Sequence, residues 1–339
     1  MKVKVYLYSM FDYTIVYNIY ISYRYTIMNG EQSRKTMLPL VALLLLVSTT
    51  IATTPTITLN NGVLLPAIAA GTWQYKPEIA EQSVNDAFEA GFTHIDTAHD
   101  YDNQEGVGKA LQGRKRDSFF LTTKVPGCGL QGISKANCAQ DSSAAIDANL
   151  KQLGLDYVDL LLIHFPPLLG CKVESNCKAI QSQYAALEAA LTAKKTRAIG
   201  VSNFCISCFE CLNKTMKVTP AINQVKYHVG MGSDPGGLKS YCSEQGIHMQ
   251  AYSPLGDNAS ALIEGPLLEK IGTAHNKSSV QVALSWIWQN EVPVVTKSTK
   301  LQHLKDDIDI FDFKFSADEL NELNSQTQPS GSPSFMCKS

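Results

Sequence analysis

Residues 146–164 read IDANLKQLGLDYVDLLLIH, and this stretch contains one complete helix-to-strand unit. Ile146, Leu150 and Leu153 recur at helical spacing, and Gly154 stands where such a helix would stop. An apolar run suited to a buried strand follows from residue 158 to 164. Short β-rich runs alternate with helical patterns in the same way along most of the chain, which is typical of repeated βα units.

Eight such strands are predicted, and they lie near residues 67–71, 93–96, 119–124, 158–164, 198–201, 222–227, 248–253 and 292–296. Gly91 and Gly246 stand at further expected helix ends. Before the first unit, residues 57–65 contain two short strands around Asn61-Gly62, a strong hairpin signal. Eight units fit a closed barrel better than an open sheet. We therefore predict an α/β fold, a (β/α)8 TIM barrel with an N-terminal β-hairpin.

An open doubly wound sheet is the competing fold, and one motif favours it. Gly127, Gly129 and Gly132 match the G-x-G-x-x-G pattern of dinucleotide-binding loops. In the true motif the last glycine opens a helix directly. Here residues 133–138 intervene before helical periodicity resumes near Gln140. We interpret the glycines as part of a flexible βα loop.

The first 54 residues differ from the rest of the chain. A basic segment at 33–35 precedes an apolar run at 38–47 and small residues up to Ala52, which is the pattern of a secretory signal. We predict a leader at 1–54, the barrel at 55–325 and a C-terminal tail at 326–339. The expected destination is an organelle lumen or the extracellular space. If translation starts at Met28 or Met37 and the leader is an artefact, a cytoplasmic protein is expected instead.

The nine cysteines all lie beyond the leader. Cys128 with Cys138 and Cys171 with Cys177 are natural pairs by proximity, and an oxidising compartment would permit both disulfides. Buried thiols in a reducing cytosol are the alternative. The odd count leaves at least one thiol unpaired within the chain. Three further cysteines follow one another at intervals of three residues: Cys205, Cys208 and Cys211. Because no fourth ligand lies at a spacing typical of zinc sites, no metal is predicted.

Composition excludes several classes of partner. The chain is 45% hydrophobic and 18% charged, with 29 basic residues against 31 acidic ones and no dense basic run. One globular domain without a nucleic-acid partner is therefore expected. The leader's apolar run is too short for a comfortable membrane span, so we expect no stable span after cleavage, and a monomer. N-glycosylation sequons occur at Asn213, Asn258 and Asn276.

In a TIM barrel the chemistry lies at the C-terminal ends of the strands. Asp96, Lys124 and His164 each end a predicted strand, and Tyr101 follows five residues after Asp96. Taken singly, Asp96 could be an ordinary helix cap, Lys124 a solvated lysine and His164 a core histidine. Together, an ammonium beside a phenol lowers the phenol's pKa, a carboxylate keeps the ammonium charged, and a neutral imidazole can hydrogen-bond the substrate oxygen. Such a group delivers a proton to a carbonyl oxygen, while the electron pair must come from a cofactor.

These residues lie in segments that resemble the aldo-keto reductase family. Residues 91–108, GFTHIDTAHDYDNQEGVG, are similar to its first signature, and later blocks follow in the family order at 121–124, 153–164, 199–204, 223–224 and 251–255. The resemblance covers roughly residues 56–324. It implies a tetrad of Asp96, Tyr101, Lys124 and His164. It also implies reduction of an aldehyde or ketone to an alcohol by hydride transfer from NADPH, with Tyr101 as general acid.

The resemblance further implies a coenzyme site. At its nicotinamide end, Tyr252 would stack on the ring, and the amide would be bound by Ser202, Asn203 and Gln224. At its phosphate end, Ser253 and Leu255 would contact the pyrophosphate, and Lys297 with Ser298 would clamp the 2′-phosphate. Gly71 and Thr72 complete the predicted coenzyme site.

Two positions depart from the family pattern. His303 stands where an arginine is common, and it lacks the fixed guanidinium fork. NADPH is still favoured, with NADH as the alternative. Phe165 replaces a frequent tryptophan and reshapes a substrate pocket that Trp73 would line. Because a fold does not dictate a function, two alternatives stay open. One is a nucleotide-sensing module that docks to another protein; the other is an interaction protein with a vestigial site.

Overall fold

The computed structural model describes residues 54–168, 170–257 and 263–327. The predicted leader apart from Thr54, the tail from residue 328 and the sequon at Asn258 lie outside the described residues. Within them the strands are β1 Thr56–Thr58, β2 Leu64–Pro66, β3 Ile68–Gly71, β4 His94–Asp96, β5 Phe120–Val125, β6 Val158–Ile163, β7 Thr196–Ser202, β8 Ile222–Lys226, β9 His248–Tyr252 and β10 Val294–Thr296. The α-helices are α1 Pro77–Ala90, α2 Gln104–Leu111, α3 Cys138–Leu153, α4 Glu174–Thr192, α5 Ile206–Leu212, α6 Leu238–Glu244, α7 Pro266–His275, α8 Ser279–Gln289, α9 Leu301–Ile308 and α10 Ala317–Asn324.

Strands β3 to β10 pair in parallel and close into a barrel, with β10 hydrogen-bonded to both β9 and β3. The eight predicted strands are all present, each within two residues of its predicted bounds. The (β/α)8 prediction is confirmed. It follows that the C-terminal ends of all eight strands meet at one face of the barrel, where the predicted chemistry would be assembled.

The N-terminal hairpin closes the opposite end of the barrel. Strands β1 and β2 are antiparallel, and Leu59 and Leu65 pack onto Phe120 and other apolar side chains inside the barrel. The turn lies at the predicted position but is longer than the two-residue type, since Leu59 N–H donates to the Val63 carbonyl. Gly62 takes the left-handed conformation that the turn requires, with φ of 83°.

The helices bury the predicted apolar stripes against the outside of the strands. Ile146 and Leu153 of α3 are buried, and Gly154 ends that helix in the left-handed conformation. Helix α2 lies unusually close to its neighbours, because a Cβ on Gly106 would sit 1.9 Å from the Pro77 carbonyl oxygen. That close packing fixes the segment between β4 and α2, which contains Tyr101.

The disulfides agree with the sequence only in part. Cys128 pairs with Cys138 as predicted, but the predicted Cys171–Cys177 pair is wrong. Cys171 bonds Cys208, and Cys177 bonds Cys211. The two partners lie three residues apart on α5, which places them on one side of that helix, against the start of α4. The two bridges therefore attach α5 to α4 and to the segment that directly precedes α4.

Cys205 is also disulfide-bonded, and Cys242 is a buried free thiol. No group of three or more His, Cys, Asp or Glu side chains among the described residues is arranged to hold a metal ion. None of the helices described is both long enough and apolar enough to cross a membrane.

Candidate active site

The four predicted catalytic side chains lie together at the C-terminal face of the barrel. Asp96 ends β4, Lys124 lies near the end of β5, and His164 directly follows β6. Tyr101 ends a single 3-10 turn, His99–Tyr101. The Lys124 ammonium donates to Asp96 Oδ1 at 2.5 Å and to the Thr97 carbonyl at 3.0 Å, and it lies 3.4 Å from the Tyr101 hydroxyl.

Asn103 holds the segment that contains Tyr101 in place. Its side-chain amide is fully buried and donates to the carbonyls of Thr72, at 2.7 Å, and Tyr75, at 3.0 Å. The Thr97 hydroxyl donates to the Asn103 side-chain oxygen at 3.3 Å. These bonds connect the β4–α2 segment to the β3–α1 segment. The buried hydrogen bonds of the Asn103 side chain therefore help to hold the segment that contains Tyr101.

The electrostatics of Tyr101 differ from the expectation. Burial raises the pKa of the Tyr101 phenol well above its usual value of 10.0, and the carboxylates of Asp96 and Asp100 raise it further. Burial outweighs the expected lowering by Lys124, whose ammonium lies 3.4 Å from the phenol and is also paired with Asp96. Tyr101 therefore keeps its proton throughout the neutral pH range.

Gln224, a predicted coenzyme residue, is hydrogen-bonded directly to Asp96 of the tetrad. Its side-chain nitrogen donates to Asp96 Oδ2 at 2.7 Å and to Gln250 Oε1 at 2.9 Å. Because a carboxylate only accepts hydrogen bonds, the amide nitrogen must face Asp96, which leaves the Gln224 oxygen as an acceptor for a ligand. Gln250, buried in β9, was not identified from the sequence; its side-chain nitrogen has no partner within the described residues.

Asp100 is a second residue that sequence reasoning missed. Its Oδ1 lies 2.7 Å from Nδ1 of His164, and both side chains are almost completely buried. Burial alone would raise the pKa of Asp100, but the hydrogen bond and charge of His164 hold it below its usual value. Burial lowers the pKa of His164 from 6.5, and the Asp100 hydrogen bond opposes that shift. The only signal in the sequence was that Asp100 directly precedes Tyr101.

The residues assigned to the nicotinamide end follow β7, β8 and β9, and they share hydrogen bonds. The Tyr252 hydroxyl donates to the Asn203 side-chain oxygen at 2.7 Å, and the Asn203 amide donates to the His164 carbonyl at 3.0 Å. Ser202 donates to the Gln224 carbonyl at 2.7 Å. The structure therefore brings these predicted residues together beside the tetrad, with the Tyr252 ring half-buried at the edge.

The residues assigned to the phosphate end follow β9 and β10. The Lys297 ammonium donates to the Trp73 carbonyl at 2.9 Å, and within the described residues it forms no ion pair. It also lies 5.0 Å from the centre of the Tyr75 ring. A cation that is bonded only to uncharged groups suits an anionic ligand such as a phosphate. These contacts fit the phosphate end of a nicotinamide dinucleotide.

The other predicted coenzyme residues are placed as follows. Thr72 is buried, and its backbone N–H donates to the Asp96 carbonyl at 3.0 Å. Gly71 packs against β10, where a Cβ would lie 3.0 Å from a Val295 methyl group. Ser298 and Leu255 are half-buried, Ser253 is left-handed with φ of 48°, and His303 is exposed on the first turn of α9. His303 therefore contributes a solvated ring rather than a fixed contact.

The two predicted pocket residues differ in their proximity to the tetrad. Phe165 is half-buried and stacks on the His164 ring with centroids 4.3 Å apart. Trp73 is 47% exposed and lies at the rim beside Lys297. An aromatic wall next to His164 and a second one at the rim suit a substrate with an apolar body and one polar group.

Comparisons with known proteins agree with the geometry. A family model for the Aldo/keto reductase family matches residues 67–327. The chain is 34% identical over 284 residues to the 9,11-endoperoxide prostaglandin H2 reductase of Trypanosoma cruzi, a match that covers 82% of this chain and 94% of the relative. It is 34% identical over 272 residues to the glyoxal reductase of Bacillus subtilis, with 79% and 91% covered. The crystal structure of a Bombyx mori aldo-keto reductase in complex with NADP is similar with a TM-score of 0.70 at 29% identity, covering 80% of this chain and 92% of that one.

Proposed function

Because this chain belongs to the aldo/keto reductase family, we propose that it reduces an aldehyde or ketone to the alcohol with NADPH, with Tyr101 as the general acid. The observation that carries the proposal is the buried Asp96–Lys124–Tyr101 chain at the C-terminal face of the barrel. His164 adds a polar group on the substrate side of Tyr101, with ring centroids 5.5 Å apart. The substrate is a small carbonyl compound.

The proposed cofactor would be bound by residues at or just beyond the C-terminal ends of the last four strands. NADPH supplies the hydride, since no side chain can donate one. The oxygen of Gln224, together with Ser202 and Asn203, would bind the carboxamide, and the Tyr252 ring would lie against the nicotinamide. Lys297 and Ser298 would bind the 2′-phosphate. The unpaired charge of Lys297 supports NADPH over NADH, and the similar Bombyx mori protein binds NADP.

Tyr101 would transfer its phenolic proton to the substrate oxygen as negative charge develops there. The phenol is protonated at neutral pH because its pKa is raised. The phenolate that remains after the transfer is stabilised by the Lys124 ammonium 3.4 Å away. Asp96 balances the charge of Lys124 between turnovers, when Tyr101 is neutral. A buried, preorganised cation thus acts mainly on the transition state, as catalysis requires.

A panel of aldehydes and ketones tests the proposal, with each of the two coenzymes and with oxidation of the reduced nicotinamide as the readout. We expect turnover of at least one aldehyde, faster with NADPH than with NADH. Lys297→Ala should raise KM for NADPH and leave KM for NADH unchanged; the exposed Lys300→Ala is the control. NADPH binding without reduction of any compound would contradict the proposal and favour the nucleotide-sensing module.

We also propose that the protein matures in an oxidising compartment after its leader is removed. The pattern at residues 33–52 and the three disulfides between described residues support this. Intact-mass analysis of protein from its native source, with and without reduction, tests both parts. Retention of residues 38–52, or alkylation of all nine thiols without reduction, would contradict the proposal.

A further inference from the structure

Gln250 is a buried polar residue inside the barrel to which the reduction described above assigns no role. It lies on β9 directly beside Gln224 of β8, and its side chain is completely buried. Its oxygen Oε1 accepts a hydrogen bond from Gln224 Nε2 at 2.9 Å, whereas its own nitrogen Nε2 has no partner within the described residues. A buried N–H without a partner is destabilising, so its presence here points to a role for the other half of the amide, the oxygen.

The orientation of both amides follows from their connection to Asp96. The Asp96 carboxylate only accepts hydrogen bonds, and Gln224 Nε2 donates to its Oδ2 at 2.7 Å. The second N–H of the same nitrogen is then directed at Gln250, which must present its oxygen, because two amide nitrogens facing each other would both be donors. Asp96 is itself held by the Lys124 ammonium at 2.5 Å. The hydrogen bonds therefore run without a break from the tetrad through Gln224 to Gln250.

This arrangement fixes the plane of the Gln224 amide. Each of its two N–H groups has its own acceptor, while its oxygen receives no hydrogen bond within the described residues. The carboxamide of a nicotinamide has an NH2 group that donates, and this group suits the Gln224 oxygen. With Asp96 as the sole acceptor, the amide could turn about that one bond, and its second N–H would be buried without a partner.

We propose that Gln250 is a positioning residue for the coenzyme: by accepting the second N–H of Gln224, it holds the Gln224 oxygen toward the carboxamide NH2 of the nicotinamide. The inference rests on the proposed function, because it concerns the coenzyme site of the same reduction. Gln250 acts through Gln224 and does not touch the coenzyme, since it is completely buried one layer deeper in the barrel than Tyr252 on the same face of β9. Its contribution is preorganisation of the free site.

Replacing Gln250 by methionine removes the acceptor and keeps most of the side-chain length. The dissociation constant for NADPH should rise by roughly 3- to 10-fold, the effect of one neutral hydrogen bond. The stability of the coenzyme-free enzyme in urea should change little, because Gln250→Met removes one unpaired N–H and leaves another, that of Gln224. Gln250→Leu should give the same pattern. The control is Met249→Leu, on the opposite face of β9 in the outer hydrophobic core, which should leave coenzyme affinity unchanged.

A coenzyme analogue separates this positioning role from a packing role. In the 3-acetylpyridine analogue of NADPH a methyl group replaces the carboxamide NH2, so the analogue cannot donate to the Gln224 oxygen. The wild type should bind NADPH more tightly than the analogue. In Gln250→Met that preference should shrink by roughly 3- to 10-fold, while the affinity for the analogue hardly changes. Isothermal titration calorimetry with the full chain measures all four affinities without any turnover.

An equal loss of affinity for both coenzymes in Gln250→Met would overturn the inference, because Gln250 would then act through packing alone. Unchanged NADPH affinity in both Gln250→Met and Gln250→Leu would also overturn it. Failure of the proposed function gives a different result: the wild type would bind NADPH and reduce no carbonyl compound, and the affinity ratios would still decide the role of Gln250. A wild type that binds neither coenzyme would overturn both.

Discussion

Asp307 on α9 is a buried carboxyl group, and replacing it tests how strongly burial of a titratable group affects the stability of the fold. Its carboxyl group is 5% exposed and accepts a hydrogen bond from the Thr296 hydroxyl at 2.8 Å. Burial raises its pKa from 3.8 to about 6, and the neighbouring Asp306 adds to the shift. A shift of roughly two units corresponds to about 3 kcal/mol between the two protonation states.

The direction in which Asp307 changes stability with pH follows from proton linkage. The folded state binds the Asp307 proton more tightly than the unfolded state does, so this group's stabilising effect is present below about pH 4 and lost as pH rises through about 6. Asp307→Asn retains an acceptor for Thr296 and cannot ionise. It should therefore raise the free energy of unfolding by about 3 kcal/mol at neutral pH and change little near pH 4.

A second buried group has the opposite pH dependence. His94 is completely buried, and burial lowers its pKa from 6.5 to about 4. Its contribution of about 3 kcal/mol is present above pH 6.5 and lost as pH falls through about 4. In the wild type the two effects largely cancel across this window. In Asp307→Asn the effect of His94 should become visible, so that stability increases with pH.

Equilibrium unfolding in urea at several pH values measures both effects, with Asp306→Asn as the control because that neighbouring carboxylate is exposed. A free energy of unfolding that stays the same in Asp307→Asn at neutral pH would refute the reasoning. So would a gain of equal size in Asp306→Asn, because burial would then not be the cause.

The remaining predictions concern the site and the surface. Lys124→Met should lower turnover by roughly 10²-fold or more, because the phenolate loses its stabilising cation; stopped-flow measurement of the chemical step tests this, and an unchanged rate would contradict it. Asp96→Asn should lower turnover less than Lys124→Met but raise KM for the coenzyme, because the Gln224 amide loses the acceptor that orients it; steady-state kinetics show whether the two effects separate. If the protein enters the secretory route as proposed, glycopeptide mapping should find glycans at Asn213 and Asn276, which are exposed, and little at Asn258, whose glycan should obstruct coenzyme binding; full occupancy of Asn258 in active enzyme would contradict this.

Sequence periodicity was sufficient for the architecture, because each βα unit is encoded locally. The stripe of Ile146 and Leu153 and the stop at Gly154 predicted α3 and β6 within a residue or two. The tetrad could also be predicted, since residues at the C-terminal ends of parallel strands must meet at one face. The grouping of Asp96 and Lys124 follows from topology alone.

Contacts that depend on side-chain direction could not be predicted in this way. Asp100 and His164 are 64 residues apart, and nothing local in the sequence indicates that the carboxylate turns toward the ring. Pairing by sequence proximity failed for Cys171, because its partner Cys208 on α5 is 37 residues away in the sequence and is brought next to it only by the fold. The direction of the Tyr101 pKa shift also required the structure, because it depends on how completely the phenol is buried and on the carboxylates around it.

Single-turnover oxidation of NADPH with an activated aromatic aldehyde, compared between the wild type and Tyr101→Phe, is the most direct test of the proposed proton donor. The substitution keeps the ring and removes the acidic hydrogen. The account predicts that the rate of the chemical step falls by at least roughly 10²–10⁴-fold while the affinity for NADPH hardly changes. A Tyr101→Phe enzyme that retains most of the wild-type rate, while Asp96→Asn loses it, would contradict the assignment of Tyr101 as the general acid.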